Sequence, residues 1–274
     1  MNAKAGRIRV GIGGWNYEPW RQTFYPPGVP QRKELHHASR VLGAIEINSS
    51  FYRMPAAQTF AKWRDETPPG FLFSVKAPRY LTHRRHLAEG LALAGRFASV
   101  AAHLEDRLGP LLWQLSPEQT FDAEDLERFF AGLPREVGGR ALRHAIEVRH
   151  ESFLCAGFVE LAERQGITIV HTDSPKYPQL ADLTADFVYA RLMRSQSELA
   201  TGYPAGALDT WAEHARRWAA GEDREPLPHV RPRAAVEPRP RDVFIYFIDG
   251  AKERAPAAAQ ALIGRLRGGP ATGS

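Results

Sequence analysis

Eight short, β-rich apolar runs, all but one followed by a stretch with helical spacing, limit what this chain can fold into. The runs are Ile8–Gly13, Ala44–Asn48, Phe71–Lys76, Leu111–Leu115, His144–Arg149, Thr168–His171, Phe187–Leu192 and Val243–Ile248. Helical patterns fall between them at Lys33–Leu42, Thr59–Glu66, Leu87–Arg107, Ala123–Phe130, Ser152–Gln165 and Leu208–Ala220, and a last one, Ala255–Leu266, follows the eighth run. Only the interval Asp173–Asp186 is too short and too proline-interrupted for a good helix. Strands alternating with helices read as βα units around a parallel sheet. Eight such units close most simply into a (β/α)₈ TIM barrel. The competing topology, an open doubly wound sheet, expects a glycine-rich phosphate loop after its first strand. Gly11, Gly13 and Gly14 do not complete the G-x-G-x-x-G pattern, so the barrel is the expected fold.

Length alone does not decide the domain count: 274 residues is nearly two domains at about 150 each, but a single α/β barrel runs to about 250. We expect one domain over residues 1–274, with the barrel at about 7–267 and a loop insertion at about 221–241. In that insertion Arg224, Arg231, Arg233, Arg239 and Arg241 sit among Pro226, Pro228, Pro232, Pro238 and Pro240. Proline removes donors and fixes φ, so a solvated, partly extended loop is expected there rather than a nucleic-acid arm. The 43% hydrophobic and 24% charged content excludes wholesale disorder. A lone cysteine, Cys155, excludes an internal disulfide and a cysteine-rich zinc site and fits a reducing compartment. No run approaches the eighteen apolar residues of a membrane span. The expectation is a cytoplasmic protein without a membrane partner. A net charge of +5 favours anionic partners without specifying one.

Strand parity locates a site. Alternate residues of a barrel strand face the interior and the helices. Ile45 and Ile47 suit the helical side, which turns Glu46 and Asn48 inward; the same count turns Ser74 and Lys76, Glu147 and Arg149, Gln114, Arg191 and Tyr246 inward. Polar and charged side chains thus converge near the carboxyl ends of several strands, where barrel enzymes assemble their sites. One reading is that Glu46 and Glu147 merely neutralise Lys76, Arg149 and Arg191. Against it, desolvating each ion carries a penalty of several kcal/mol that apolar filling would avoid.

The same segments resemble the YecE-like family, domain-of-unknown-function family 72. The matching residues are Gly13-Gly14-Trp15-Asn16-Tyr17, Glu46-Ile47-Asn48-Ser49-Ser50-Phe51-Tyr52-Arg53, Phe73-Ser74-Val75-Lys76-Ala77-Pro78-Arg79 with Thr82-His83, Gln114-Leu115, Glu147-Val148-Arg149-His150, Tyr189-Ala190-Arg191-Leu192 and Tyr246-Phe247. The resemblance implies a (β/α)₈ barrel and supplies no established reaction. Ser116, Phe153 and Ile248-Asp249 depart from the family pattern, the last at the eighth strand.

These residues support a site for acid/base chemistry on a small anionic substrate, phosphorylated metabolites included. Paired carboxylates can divide acid and base roles, so Glu46, Glu147 and Lys76 are the catalytic candidates. Lys76 is read first as an anion binder and second as a Schiff-base amine. The substrate-binding candidates are Trp15, Tyr17, Asn48, Tyr52, Arg53, His83, Gln114, Arg149, His150, Arg191 and Tyr246. Trp15, Tyr17 and Trp20 suit either an aromatic wall or a hydrophobic plug. Hydrolase, lyase and isomerase chemistry on a phosphorylated or sugar-like substrate all remain open. No cofactor is expected. A divalent metal on Glu46, Glu147, His150, His171 and Asp173 is left open, opposed by the three cations and by the lack of an H-E-x-x-H motif. The rival function is a non-catalytic nucleic-acid or anion-binding protein. Sequence does not address the oligomeric state.

Overall fold

The computed structural model describes residues 5–223, 226–232 and 239–268. Its strands are β1 (Ile8–Gly13), β2 (Ala44–Ile47), β3 (Leu72–Lys76), β4 (Leu108–Gln114), β5 (His144–Glu147), β6 (Thr168–Asp173), β7 (Phe187–Leu192) and β8 (Asp242–Phe247). All pair in parallel with their sequence neighbours, and β8 returns to β1, so the sheet is a closed barrel. This is the (β/α)₈ TIM barrel expected from the strand count. A two-residue hairpin, Glu136–Val137 with Arg140–Ala141, stands apart from it.

Closure depends on one glycine. A Cβ at Gly11 would lie 2.1 Å from the Ala44 carbonyl oxygen and 3.1 Å from the Tyr246 ring. Any larger residue at position 11 would therefore collide with the backbone of β2 and press on the Tyr246 ring of β8.

The period of two sorts side chains into two separate apolar cores. Ile45, Ile47, Phe73, Val75, Trp113, Ile146, Val148, Ala190, Leu192, Ile245 and Phe247 pack outward in one cluster with the helices. Ala44, Leu112, Ala145, Val170, Phe187, Tyr189, Phe244 and Tyr246 form a second cluster inside the barrel. At the amino-terminal end Asp242 bonds Arg143 at 3.0 Å and Arg9 at 3.5 Å, while the Arg9 guanidinium lies 5.5 Å from the Phe244 ring centre. The barrel is thus floored by aromatic rings and an Arg9–Asp242–Arg143 cluster, and Glu46, Lys76, Glu147 and Arg191 collect at the other end.

The surrounding helices are α1 (Glu34–Val41), α2 (Ala57–Glu66), α3 (Leu91–Ala101), α4 (Ala123–Gly132), α5 (Ala156–Arg164), α6 (Ala205–Ala220) and α7 (Ala255–Arg267). Asp122 caps α4 by accepting from the Asp125 amide at 3.1 Å. α6 stops at Gly221, whose φ of 93° is open to glycine at little cost. No helix among the described residues is long and apolar enough to cross a membrane.

Two expected helices prove shorter. The Leu87–Arg107 pattern breaks into a 3₁₀ turn at Ala88–Gly90, then α3, then a second 3₁₀ segment at Ala102–Arg107. The buried Asp125 carboxylate claims the Leu87 and Ala88 amides at 2.6 and 3.2 Å, and Glu105 reverses the chain at φ 48°. The Ser152–Gln165 pattern begins only at Ala156, because Cys155 is extended and a 3₁₀ turn holds Glu151–Phe153. Conversely, short helical turns at Ser49–Tyr52 and Arg79–Thr82 follow β2 and β3 without having been anticipated.

The described part of the Pro/Arg stretch is irregular, as its prolines require, yet it is docked rather than solvated. Asp182 accepts from the Val230 and Arg231 amides at 2.9 Å each, and Arg231 pairs with Glu163. Arg241 is buried against the Ala185 carbonyl at 3.0 Å. Arg224, Arg233 and Pro238 lie outside the described residues.

Two buried histidines set a pH dependence. His144 accepts from the Trp113 indole at 3.0 Å and faces the Pro134 carbonyl at 2.8 Å, so its neutral ring is fully used. His171 lies between Trp211 and Trp218 and bonds the Leu180 carbonyl at 3.2 Å. Burial lowers each from 6.5 to about 4. Because the folded value is the lower one, each contributes stability above pH 6.5 that is lost as the pH falls through about 4, with an upper bound of about 3 kcal/mol per ring. Urea unfolding from pH 7 to 4 should show this loss, and His171→Leu should flatten its share. A parent and variant with parallel pH profiles would overturn the assignment.

Candidate functional site

The innermost feature of the barrel's C-terminal end is a guanidinium held between two carboxylates. Arg191 (β7), 2% exposed, donates to both Glu46 oxygens at 3.0 and 3.1 Å and to Glu147 Oε2. Tyr189 donates to Glu46 at 2.7 Å, and Arg149 donates to Glu147 Oε1 at 2.8 Å. Alternation carries these groups inward: Glu46 lies two residues beyond Ala44, Glu147 two beyond Ala145, and Arg191 two beyond Tyr189, all three of which belong to the inner core. Burial alone would raise the Glu147 carboxyl, but Arg191, Arg149 and Lys76 outweigh it and hold it below the usual range. Glu147 is thus a permanently ionised anchor, and the oxygens of Glu46 are already bonded.

Lys76 occupies the end of β3 differently. It is 8% exposed, and its nitrogen lies 3.9 Å from the centre of the Phe51 ring. No acceptor among the described residues bonds that nitrogen. Burial and then the Arg191 charge lower its pKa from 10.5 to about 8, with Glu147 and Glu46 opposing and Arg149 adding to the fall. Ser50 donates to the Lys76 carbonyl at 2.6 Å, so the turn that carries Phe51 also fixes the end of β3. Arg149 stacks 4.2 Å from the Tyr177 ring centre and reaches its hydroxyl at 3.3 Å. Two cationic side chains therefore stand above the saturated Arg191 clamp.

Two buried polar atoms lie on the same interior face. Gln114 Oε1 and Thr172 Oγ1 have no hydrogen-bond partner among the described residues. Gln114 stands opposite Glu147 and Thr172 opposite Arg191 in their ladders, so both share the interior face. Tyr246 bonds Ser74 at 2.7 Å deeper in the barrel.

The remaining candidates spread over the rim. His83 stands in ring contact with Phe51 at 5.3 Å, and burial, Arg79, Lys76 and Arg149 lower its pKa. A separate cleft of about 370 Å³ lies beyond β1 and β2, lined by Trp15, Asn48, Tyr52, Trp63 and Lys252. Tyr17 packs on Trp20 at 5.2 Å, and Trp20 is a fully buried plug. Tyr52 is 78% exposed and Arg53 is exposed too. His150 turns away to cap Glu151–Phe153, accepting from the Ser152 amide at 3.2 Å. The structure thus gathers Glu46, Lys76, Gln114, Glu147, Arg149 and Arg191 and leaves Trp15, Asn48 and Tyr52 in the neighbouring cleft. Phe51, Thr172, Tyr177 and Tyr189 join the site without having been site candidates. Parity could have found Thr172 and Tyr189, and Phe51 and Tyr189 stand in the family-matching segments; nothing local marks Tyr177.

The residues weighed for a metal separate. His171 lies on the outer face among tryptophans, Asp173 pairs with Arg194 at 2.6 Å, and both glutamates bind arginine. Among the described residues no three His, Cys, Asp or Glu side chains gather where they could hold an ion.

Comparison with known proteins gives a consistent picture. A family model described as "Protein of unknown function DUF72" matches residues 9–272. The UPF0759 protein YecE of Escherichia coli K12 is 26% identical over 163 residues, 58% of this chain and 55% of that protein. The UPF0759 protein YunF of Bacillus subtilis is 35% identical over 79 residues, 28% of this chain and 27% of that one. The matched part thus spans about half or less of these relatives' length. Among solved structures, a DUF72 protein from Thermotoga maritima superposes with a TM-score of 0.70 at 22% identity, covering 96% of this chain and 98% of its own. One from Enterococcus faecalis gives 0.67 at 16% identity, covering 95% of each. Both likenesses concern the fold.

The clamp yields a stability test. Removing the cation strands two buried carboxylates, so Arg191→Met should cost about 3–5 kcal/mol in urea unfolding. The combined Arg191→Met, Glu46→Gln, Glu147→Gln variant should recover part of that. A loss below about 1 kcal/mol in the single variant would show that the pairs carry little weight.

Proposed function

From the premise that the chain belongs to the DUF72 family, whose description assigns no reaction, we propose a function from the site alone. The C-terminal mouth of the barrel binds a small anionic substrate and exchanges protons with it. The observation that carries this reading is the Lys76 amine: buried, bonded to no acceptor among the described residues, and set beside the Arg191 and Arg149 guanidiniums.

Charge supports the choice of an anion. Lys76, Arg149 and Arg191 against Glu46 and Glu147 leave one positive charge in excess. Because Arg191 already bonds both carboxylates, the excess is presented by Lys76 and Arg149. A phosphate or carboxylate between them would gain charge-assisted hydrogen bonds and relieve the crowding of cations.

The proton roles shift from the glutamates to the lysine. The Glu147 carboxylate, held ionised by Arg191 and Arg149, is a poor base and has no proton to give, and the Glu46 oxygens are already taken by Arg191 and Tyr189. An amine that titrates near pH 8 can do both close to neutrality. Glu46 and Glu147 then act as positioning residues, holding Arg191 so that its field keeps Lys76 easily deprotonated. His83, across the Phe51 ring, is placed to pass protons to water.

The lysine should weaken the fold that it serves. Its folded pKa of about 8 lies below 10.5, so stability should rise with pH across that window. At pH 7 Lys76→Met should be more stable than the parent by about 1–3 kcal/mol. A destabilised Lys76→Met would oppose the reading of a desolvated, unpaired amine.

Ligand binding gives the direct test. Thermal shifts against inorganic phosphate, sugar phosphates and α-keto acids should include a hit. At a hundred times its dissociation constant a ligand stabilises by about 2.7 kcal/mol, which is about 5–10 °C for a chain of this size. The shift should vanish in Lys76→Met and fall in Arg149→Met. A shift produced only by oligonucleotides, steeply salt-dependent and indifferent to Lys76, would favour the non-catalytic nucleic-acid reading instead.

A further inference from the structure

We propose that Lys76 is a carbonyl-trapping amine, and that the substrate class of this mouth is a small anion bearing an aldehyde or ketone. The proposal rests on the anion-binding reading above and names the reacting group within it.

Three features of the geometry support a covalent role over simple charge pairing. First, an anion-binding lysine in a protein interior is ordinarily tethered by a carboxylate or carbonyl, whereas this nitrogen meets only the Phe51 ring face, at 3.9 Å. Its lone pair, once deprotonated, is not engaged by any donor among the described residues. Secondly, its direction is fixed from both sides. Ser50 anchors the Lys76 backbone and Phe51 supports the side chain from the same short turn. Thirdly, Arg149 offers the anion a partner just beyond β5 while Lys76 reaches in from the end of β3, so one substrate can meet both.

The chemistry balances without a cofactor. The neutral Lys76 nitrogen attacks the carbonyl carbon and a C–N bond forms. The C=O π electrons move to oxygen, which gains a proton, while the nitrogen loses one, giving a carbinolamine. The hydroxyl then leaves as water after protonation, and the nitrogen lone pair forms the C=N bond of a protonated imine. Nothing is oxidised or reduced, and the protons come from and return to water at the mouth. The groups facing the nitrogen are Glu46 from β2, Glu147 and Arg149 at β5, and Arg191 from β7. Their balance keeps the amine available near neutral pH, and the imine nitrogen, once protonated, withdraws electrons from the adjacent carbon.

The test uses the whole chain, glyoxylate as an anionic aldehyde, and cyanoborohydride to reduce any imine to a stable secondary amine, read by peptide mass spectrometry. Lys76 should be labelled at least tenfold faster than the exposed lysines. Its rate should rise with a midpoint near pH 8. Inorganic phosphate should slow labelling of Lys76 and leave Lys252 unaffected, since the Lys252 amine sits apart, 4.4 Å from the Tyr17 ring. Arg149→Met should slow glyoxylate at Lys76 but not the uncharged probe propionaldehyde. These measurements on the unsubstituted chain remain decisive even if a variant fails to fold. Labelling of Lys76 no faster than of exposed lysines, with phosphate still raising the melting temperature, would overturn the imine and leave the anion site standing. Equal labelling with no stabilisation by any anion would overturn both.

Discussion

A guanidinium between two carboxylates in a barrel interior can be assembled only when three distant strands are in register. Glu46, Glu147 and Arg191 come from β2, β5 and β7. They meet because each strand places its charged residue one pleat above the apolar layer. A one-residue slip in any of these strands would send its charge into the helical shell and leave the other charges buried without balance. The triad therefore penalises wrong registers more than it stabilises the right one. It also governs the site above it. With Arg191 bound to both acids, Lys76 is left without a counterion, and the mouth presents a cation of unusual availability.

The apolar layer below does the complementary work. Phe187, Tyr189, Phe244 and Tyr246 fill the lower barrel, and water is excluded from the underside of the clamp. A low-dielectric floor strengthens the Arg191 pairs and at the same time makes each unpaired polar atom expensive. Tyr189 joins the two regions, being ring to the floor and hydrogen-bond donor to Glu46. Gly11 lets β1 lie close to the Ala44 carbonyl of β2 and leaves room beside the Tyr246 ring.

How much of this was legible in the sequence follows from which interactions are periodic. The (β/α)₈ barrel and the inward set Glu46, Lys76, Gln114, Glu147 and Arg191 follow from alternation, which operates over two residues and survives in any parallel strand. Loop contacts have no such period. Phe51 reaches Lys76 because Ser49–Tyr52 coils into a turn, and Tyr177 reaches Arg149 across a proline-interrupted connection. The Leu87–Arg107 pattern likewise broke up for reasons its amphipathic spacing does not carry: the chain begins as a 3₁₀ turn whose first amides bond Asp125, nearly forty residues on, and it turns at Glu105 with φ 48°. Parity could place the charges but could not say which were bonded to each other. Arg191 and Arg149 look equivalent in sequence, yet one is saturated and the other faces the mouth.

That difference bears on why a chain keeps so many ions inside. Had the five charges only to neutralise one another, an equal number of acids and bases would suffice, and each cation would find a carboxylate. The arrangement instead satisfies Arg191 twice over, Arg149 once, and Lys76 not at all. Apolar side chains of similar volume would fill the Lys76 position without the desolvation penalty. An interior that bears an unpaired amine beside two guanidiniums is stable only because the rest of the barrel over-determines it. An unpaired charge of that kind, confined to one residue at the carboxyl end of a strand, is what distinguishes a site from a neutralised core.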